Sequence, residues 1–242
     1  MYEKNGKKYF IVDGHIHFWD ASPANWVKGQ DEYAKGWIEC FHAYMGLGPA
    51  ETHWPIEKFM KYSEEDFVKD EFEDGGVDVG IFQSTYLKEW YTTGFNTVDV
   101  NAKLAEKYPG KLITNGRWDP REGEAGLKQL EQDAKRYNLQ GVKLYTAEWY
   151  NGSRVGEDKM LFGSDYGIWE PKWQIDGFLD WDYPDQEYSD YPRLNDAGKR
   201  KILGLNAARL YGIEVPAEFR LPGEAGTPAA KEDAQLVESA AG

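Results

Sequence analysis

The sequence predicts an α/β fold built on a parallel sheet, of the barrel type but incomplete. Three observations lead there. Short β-branched and aromatic runs alternate with amphipathic helical segments, the pattern of consecutive βα units. The length of 242 residues suits a single α/β barrel. Yet only five strands can be read, where closure of such a barrel takes eight.

The elements follow in order. Residues 9–18 form the first strand, with FIVDGHIHF rich in β-branched and aromatic side chains. Residues 19–54 read as an irregular aromatic insertion carrying Trp19, Trp26, Trp37, Phe41, Tyr44 and Trp54, broken by glycines and prolines. Residues 55–62 and 64–73 read as helices, the second capped by Ser63 with acids in its first turn. Residues 77–87 are the second strand. The helix over 97–108 stops at Pro109-Gly110. Residues 111–118 are the third strand, and 123–137 an amphipathic helix with Leu127, Leu130 and Ala134 on one face. The fourth and fifth strands are 141–147 and 160–164, and helices follow at 168–178 and 194–212. Residues 1–221 thus make one domain, and 222–242, rich in Ala, Gly, Glu and Pro, a solvated tail.

Composition excludes several classes. A net charge of −14 argues against nucleic acid or anionic membrane as partner, since both need a basic face. No apolar run reaches the roughly 18 residues of a membrane span. The start, MYEKNGKKYF, has no apolar core of a secretory signal. Cys40 is alone, so no disulfide framework is expected and a reducing, cytoplasmic setting is. There is no GxSxG, P-loop or strand-linked GxGxxG.

The chemistry sits on the strands. Residues two apart on a strand share a face, so Asp13, His15 and His17 point one way and Val12, Ile16 and Phe18 the other. Three polar groups in a row on a buried strand are costly unless they have a task. His15 and His17 can both reach one divalent cation of zinc type, or else form a hydrogen-bonded core pair. Asp165, in LFGSDYG, falls at a strand's C-terminal end, where barrels keep their catalytic groups. It is a third ligand or a proton-transfer base, or merely caps the next helix. Arg117 and Lys143 lie in otherwise apolar strands and suit a substrate carboxylate, or they pair with Asp119, Glu148 or Asp13. Gln83 and Thr85 are candidates for the same cavity. The insertion follows the HxH strand, so its aromatics, Trp19 first, are placed to contact a small flat substrate, or to pack the loop or a dimer contact. His42 and His53 read as packing or surface residues.

DGHIHFWD, GVKLYTAEW, GEDKMLFGSDYGIW and KRKILGLNAARLYGI resemble the amidohydrolase-related family, in its branch of metal-dependent hydrolases and nonoxidative decarboxylases of the aminocarboxymuconate-semialdehyde decarboxylase type. The likeness runs over most of residues 9–213. It implies a TIM-like barrel with one catalytic metal, His15 and His17 as first-strand ligands and Asp165 as the last-strand acid. Family members carry further histidines on middle strands, whereas here none occurs after His53. Three missing βα units amount to roughly 90 residues, and the simplest account is an internal deletion between about Trp149 and Gly156. Two functions follow: a metal-dependent hydrolase or decarboxylase of small organic acids, or an impaired relative kept as a metal-binding or interaction module. An incomplete sheet leaves open edges, so a homo-oligomer, swapped elements or marginal stability is expected.

Overall fold

The computed structural model describes residues 2–119, 122–143, 160–181 and 194–222. The chain opens with a hairpin of β1 (Tyr2–Lys4) and β2 (Lys7–Tyr9), paired antiparallel. Asn5 and Gly6 connect them, both at positive φ, the backbone that a two-residue hairpin loop requires. The first strand of the main sheet is therefore shorter than the expected 9–18. It is β3 (Val12–Ile16), separated from β2 by Phe10 and Ile11.

Four parallel strands follow in chain order across the sheet: β3, β4 (Val79–Gln83), β5 (Leu112–Arg117) and β6 (Val142–Lys143). The expected fourth strand continues beyond Lys143 into residues outside the described ones. The fifth, 160–164, is not a regular strand. It runs extended beside β3 on the side away from β4: Gly14 N donates to the Phe162 carbonyl at 2.9 Å, and Ile16 bridges Tyr166 in parallel. The segment carrying Asp165 thus closes against the strand carrying the histidines. Among the described residues the sheet is a curled half-barrel, as the strand count predicts.

The insertion is better ordered than its composition suggests. It holds α1 (Asp31–Tyr44), with acids in the first turn and Ala34 and Ile38 buried. Gly36 obscures this helix in the sequence, but it has open space around its Cβ position. Next come α2 (Ile56–Met60) and α3 (Glu64–Val68), the latter extended by a π-helical turn over Lys69–Asp74. Ser63 caps α3 through a reciprocal box with Asp66. Thr97 caps α4 (Val98–Lys107), and α5 spans Gly123–Tyr137. Leu127 of α5 stays 47% exposed rather than joining the expected apolar face. After α6 (Pro171–Asp180) come α7 (Asp196–Arg200), a π-helical turn (Lys201–Leu205) and α8 (Asn206–Tyr211), which together make one helical rod.

Helices cover both faces of the sheet. Phe82 and Leu112 pack with Leu104 of α4 and Phe67 of α3. Val12, Val79 and Ile81, with Ile113 beside them, pack instead with Leu205, Ala207 and Ala208 of the C-terminal rod. The strand alternation accounts for this division. It fails at one place. A register shift between Asp13 and Ile16 puts Val12 in the second cluster and Ile16 in the first, so these two do not share a face as expected. No helix among the described residues is long and apolar enough to cross a membrane.

Candidate metal centre

His15 and His17 leave the end of β3 side by side. Their Nε2 atoms are 3.1 Å apart, and Asp165 Oδ1 lies 3.0 Å from that of His17 and 3.6 Å from that of His15. A point about 1.9 Å from all three atoms follows from these separations, close to the roughly 2.0–2.2 Å of zinc bonds to nitrogen and oxygen. The three atoms therefore fit one face of a tetrahedral site that leaves a fourth position open. No other such trio exists among the described residues.

The backbone builds this convergence. Asp165 adopts the left-handed conformation at φ 58°, which Asp tolerates better than most residues. Asp13, fully buried, holds the two ligand-bearing segments together: its Oδ1 accepts from His15 N at 3.1 Å and from Ser164 N at 2.9 Å. Asp13 is thus a brace behind the ligands and not one of them. His17 N also donates to the Tyr166 carbonyl, and Tyr62 Oη donates to the His17 carbonyl at 2.8 Å. Gln83 Nε2 donates to the carbonyl of Gly14, between the braced Asp13 and His15.

The electrostatics suit metal binding. Burial, then the neighbouring His17, push His15 down to about 4. Burial likewise lowers His17, against the pull of Asp165. Both rings are neutral near pH 7 and keep a lone pair for a cation. Burial raises Asp165, but its contact with His17 and the positive charge of Lys143 outweigh that and keep it ionised. Asp13 is driven by burial up to about 7, despite its bonds to Ser164 and His15.

Arg117 and Lys143 come together in the structure. Both line a cavity of about 390 Å³ over the ends of β4, β5 and β6, with Ser84, Thr85, Tyr86 and Trp118. Arg117 stacks over the Tyr86 ring at 4.3 Å and pairs with Glu122 at 2.6 Å. Lys143 Nζ donates to Thr85 Oγ1 at 3.2 Å, and its charge acts on His15, His17 and Asp165. The expectation for Trp19 is corrected. Its ring is only 2% exposed, stacks on Phe95 at 5.0 Å and donates from Nε1 to the Phe59 carbonyl, so it walls the core beside His17 and is closed to a ligand. His42 and His53 bond to backbone carbonyls of Trp54 and Gly48 and stay out of the centre. The sequence reading missed Asn96, whose Nδ2 lies 2.7 Å from His17 Nδ1. Its position, directly before the Thr97 cap, gave no hint of this contact.

No curated protein matches the chain. The fold is similar to the crystal structure of an uncharacterized TIM-barrel protein from Bordetella bronchiseptica, with a TM-score of 0.54, 14% identity, and coverage of 84% of this chain and 98% of that one. Residues 12–154 and 151–213 match the amidohydrolase family in two stretches, which meet where the sequence suggests an internal deletion. The chain, from the HxH strand to the C-terminal rod, belongs to the amidohydrolase family.

Proposed function

We propose that the chain is a zinc-dependent enzyme acting on a small organic acid, either hydrolysing a C–N or C–O bond or releasing CO₂ from an unsaturated or aromatic acid. The observation that carries this is the convergence of His15, His17 and Asp165 on one point with an open fourth position. A divalent cation bound there lowers the pKa of a coordinated water to about 7 and polarises a substrate oxygen.

The protein's own groups supply binding and proton transfer. Asp165, kept ionised, takes the proton from the attacking water or returns one to the substrate. Arg117 offers a planar fork to a substrate carboxylate, which exchanges with Glu122 on entry. Lys143 adds a second positive charge between that cavity and the centre. The cavity volume suits a small molecule. Tyr86 and Trp118 favour a flat, unsaturated one, which supports the decarboxylase branch over a peptide or nucleotide substrate.

The test is metal analysis of the purified protein beside His15→Ala. About one zinc per wild-type chain, lost in the variant, is expected, together with turnover of small carboxylic acids. A wild type that retains no metal sinks the enzyme reading in favour of a non-catalytic relative.

A further inference from the structure

Thr85, Tyr86 and Leu87 follow one another beyond the end of β4, and all three line the cavity that holds Arg117 and Lys143. Thr85 Oγ1 accepts from Lys143 Nζ at 3.2 Å, and the Tyr86 ring carries the Arg117 guanidinium at 4.3 Å. These two residues orient the cations. Leu87 has no charge to hold, and its backbone stands at φ 49°. A side chain in this left-handed region is strained, and glycine is the usual choice there. The other described non-glycine residues at positive φ are Asn5, Asn138 and Asp165, all of types that tolerate it. Leu87 is the exception, and it falls in the cavity wall.

The surroundings enforce the strain. The Leu87 carbonyl accepts from Trp90 N and Tyr91 N, both at 3.0 Å, which closes a tight turn. At the base of the loop, Phe95 N donates to the Tyr86 carbonyl at 2.7 Å, and Thr85 and Asn96 exchange two backbone bonds of 2.8 Å. The far side is fastened to the insertion. Val27 N donates to the Trp90 carbonyl at 2.9 Å. The buried Asn25 accepts from Thr93 N and Oγ1 and donates to the Gly94 carbonyl. Leu87 also packs from behind on the main core cluster. The loop is therefore not free to swing aside for a larger molecule. Backbone strain held by its surroundings is a recurrent feature of ligand clamps.

We propose that Leu87 is the specificity-determining wall of this cavity, limiting its ligands to acids with a single flat ring or an unsaturated chain of similar width. This rests on the reading that Arg117 and Lys143 hold a substrate carboxylate there. The cavity, about 390 Å³, is near the small end of the range for small-molecule sites. With the carboxylate pinned by the cations, a second fused ring has to displace Leu87, whose backbone is fixed on both sides. The wall is apolar, so it also favours a hydrocarbon body over a charged one at that place. One methylene of fit in such a pocket is worth roughly 10–200-fold in selectivity, so a leucine side chain is enough to set the limit.

The test titrates the full chain with benzoate and with 2-naphthoate, one ring against two, by calorimetry. Wild type is expected to bind benzoate about tenfold more tightly than 2-naphthoate. Glycine relieves the backbone and removes the wall. Leu87→Gly should therefore fold, weaken benzoate about tenfold and tighten 2-naphthoate by about as much. Leu87→Asn, which also suits that backbone, keeps most of the bulk and loses the apolar surface, so it should weaken benzoate without admitting 2-naphthoate. A purely packing role would lower stability and leave the preference between the acids unchanged. That result, or a wild type that binds both acids alike, overturns the proposal. If Leu87→Gly does not fold, Leu87→Asn and the wild-type preference decide. Arg117→Ala is the control. If it loses benzoate while Leu87→Gly keeps the wild-type preference, only the role of Leu87 falls. If benzoate binds wild type and Arg117→Ala equally, or binds neither, the carboxylate reading of the cavity falls and this proposal with it.

Discussion

Gly204→Ala tests whether the C-terminal rod is seated on the sheet as described. Gly204 lies in the π-helical turn where the rod crosses β3. A Cβ there would stand 2.0 Å from the Phe10 carbonyl oxygen, 2.9 Å from its carbon and 3.4 Å from Val12 N. All three neighbours are backbone and cannot rotate aside. Restoring ordinary contact requires the rod to lift by roughly 1.5 Å, which loosens Leu203, Leu205, Ala207 and Ala208 from their clusters at once. Overpacking usually costs about 1–3 kcal/mol, and a clash with main chain belongs at or above the top of that range. A loss of about 3 kcal/mol lowers Tm by roughly 6–12 °C for a chain of this size. Urea unfolding followed by tryptophan fluorescence, with thermal unfolding by circular dichroism, reads both. Gly36→Ala in α1 is the control. Nothing lies within 4 Å of its Cβ position, so it should stabilise by about 0.5–1 kcal/mol. If Gly204→Ala stays within about 1 kcal/mol of wild type, the rod is not seated there and the account of the second core cluster is wrong.

Two further outcomes concern the buried acids. Asp13→Ala removes the acceptor that ties β3 to the Asp165 segment and should cost about 2–4 kcal/mol, whereas Asp13→Asn keeps Oδ1 and should cost less than half of that; equal losses in urea unfolding would show that the bridge does not matter. Burial raises Asp13 to about 7, and raises Glu71 well above the usual carboxylate range, the charge of Asp13 adding to it. The native state then binds more protons than the unfolded one. The stability that these two acids contribute is full below about pH 4 and is lost as pH rises through 7, at up to about 1.4 kcal/mol per pH unit for each proton. Glu71→Gln should flatten that decline between pH 5 and 8, and an unchanged slope in denaturant titrations would refute it.

The sequence was most readable where one local rule dominates. The Ser63 cap, the Pro109-Gly110 stop and the HxH spacing each act within a few residues, and each appears in the structure. Asn5-Gly6 obeys an equally local rule and marks a hairpin that strand patterning alone overlooked. Gly36 hid α1, because a helical glycine is costly in general but tolerable where nothing else disfavours the turn. Trp19 was misread for a different reason. Its position next to His17 is visible in the sequence, but its direction is set by Phe59, Tyr62 and Phe95, far along the chain. Asn96 and Glu71 were invisible for the same cause, since burial of an isolated polar residue is decided by partners the local pattern does not name.

The seating of the rod on β3 also bears on how the protein is made. Val12 and Phe10 emerge in synthesis almost two hundred residues before Leu205, Ala207 and Ala208, which cover them. Until then one face of the growing sheet has only water or a chaperone against it. Pairings this distant in sequence are slow to form, and exposed strands are open to wrong partners meanwhile. Folding yield should therefore depend on how soon the C-terminal rod is released after the strands, and a chain stalled before residue 201 should aggregate rather than wait.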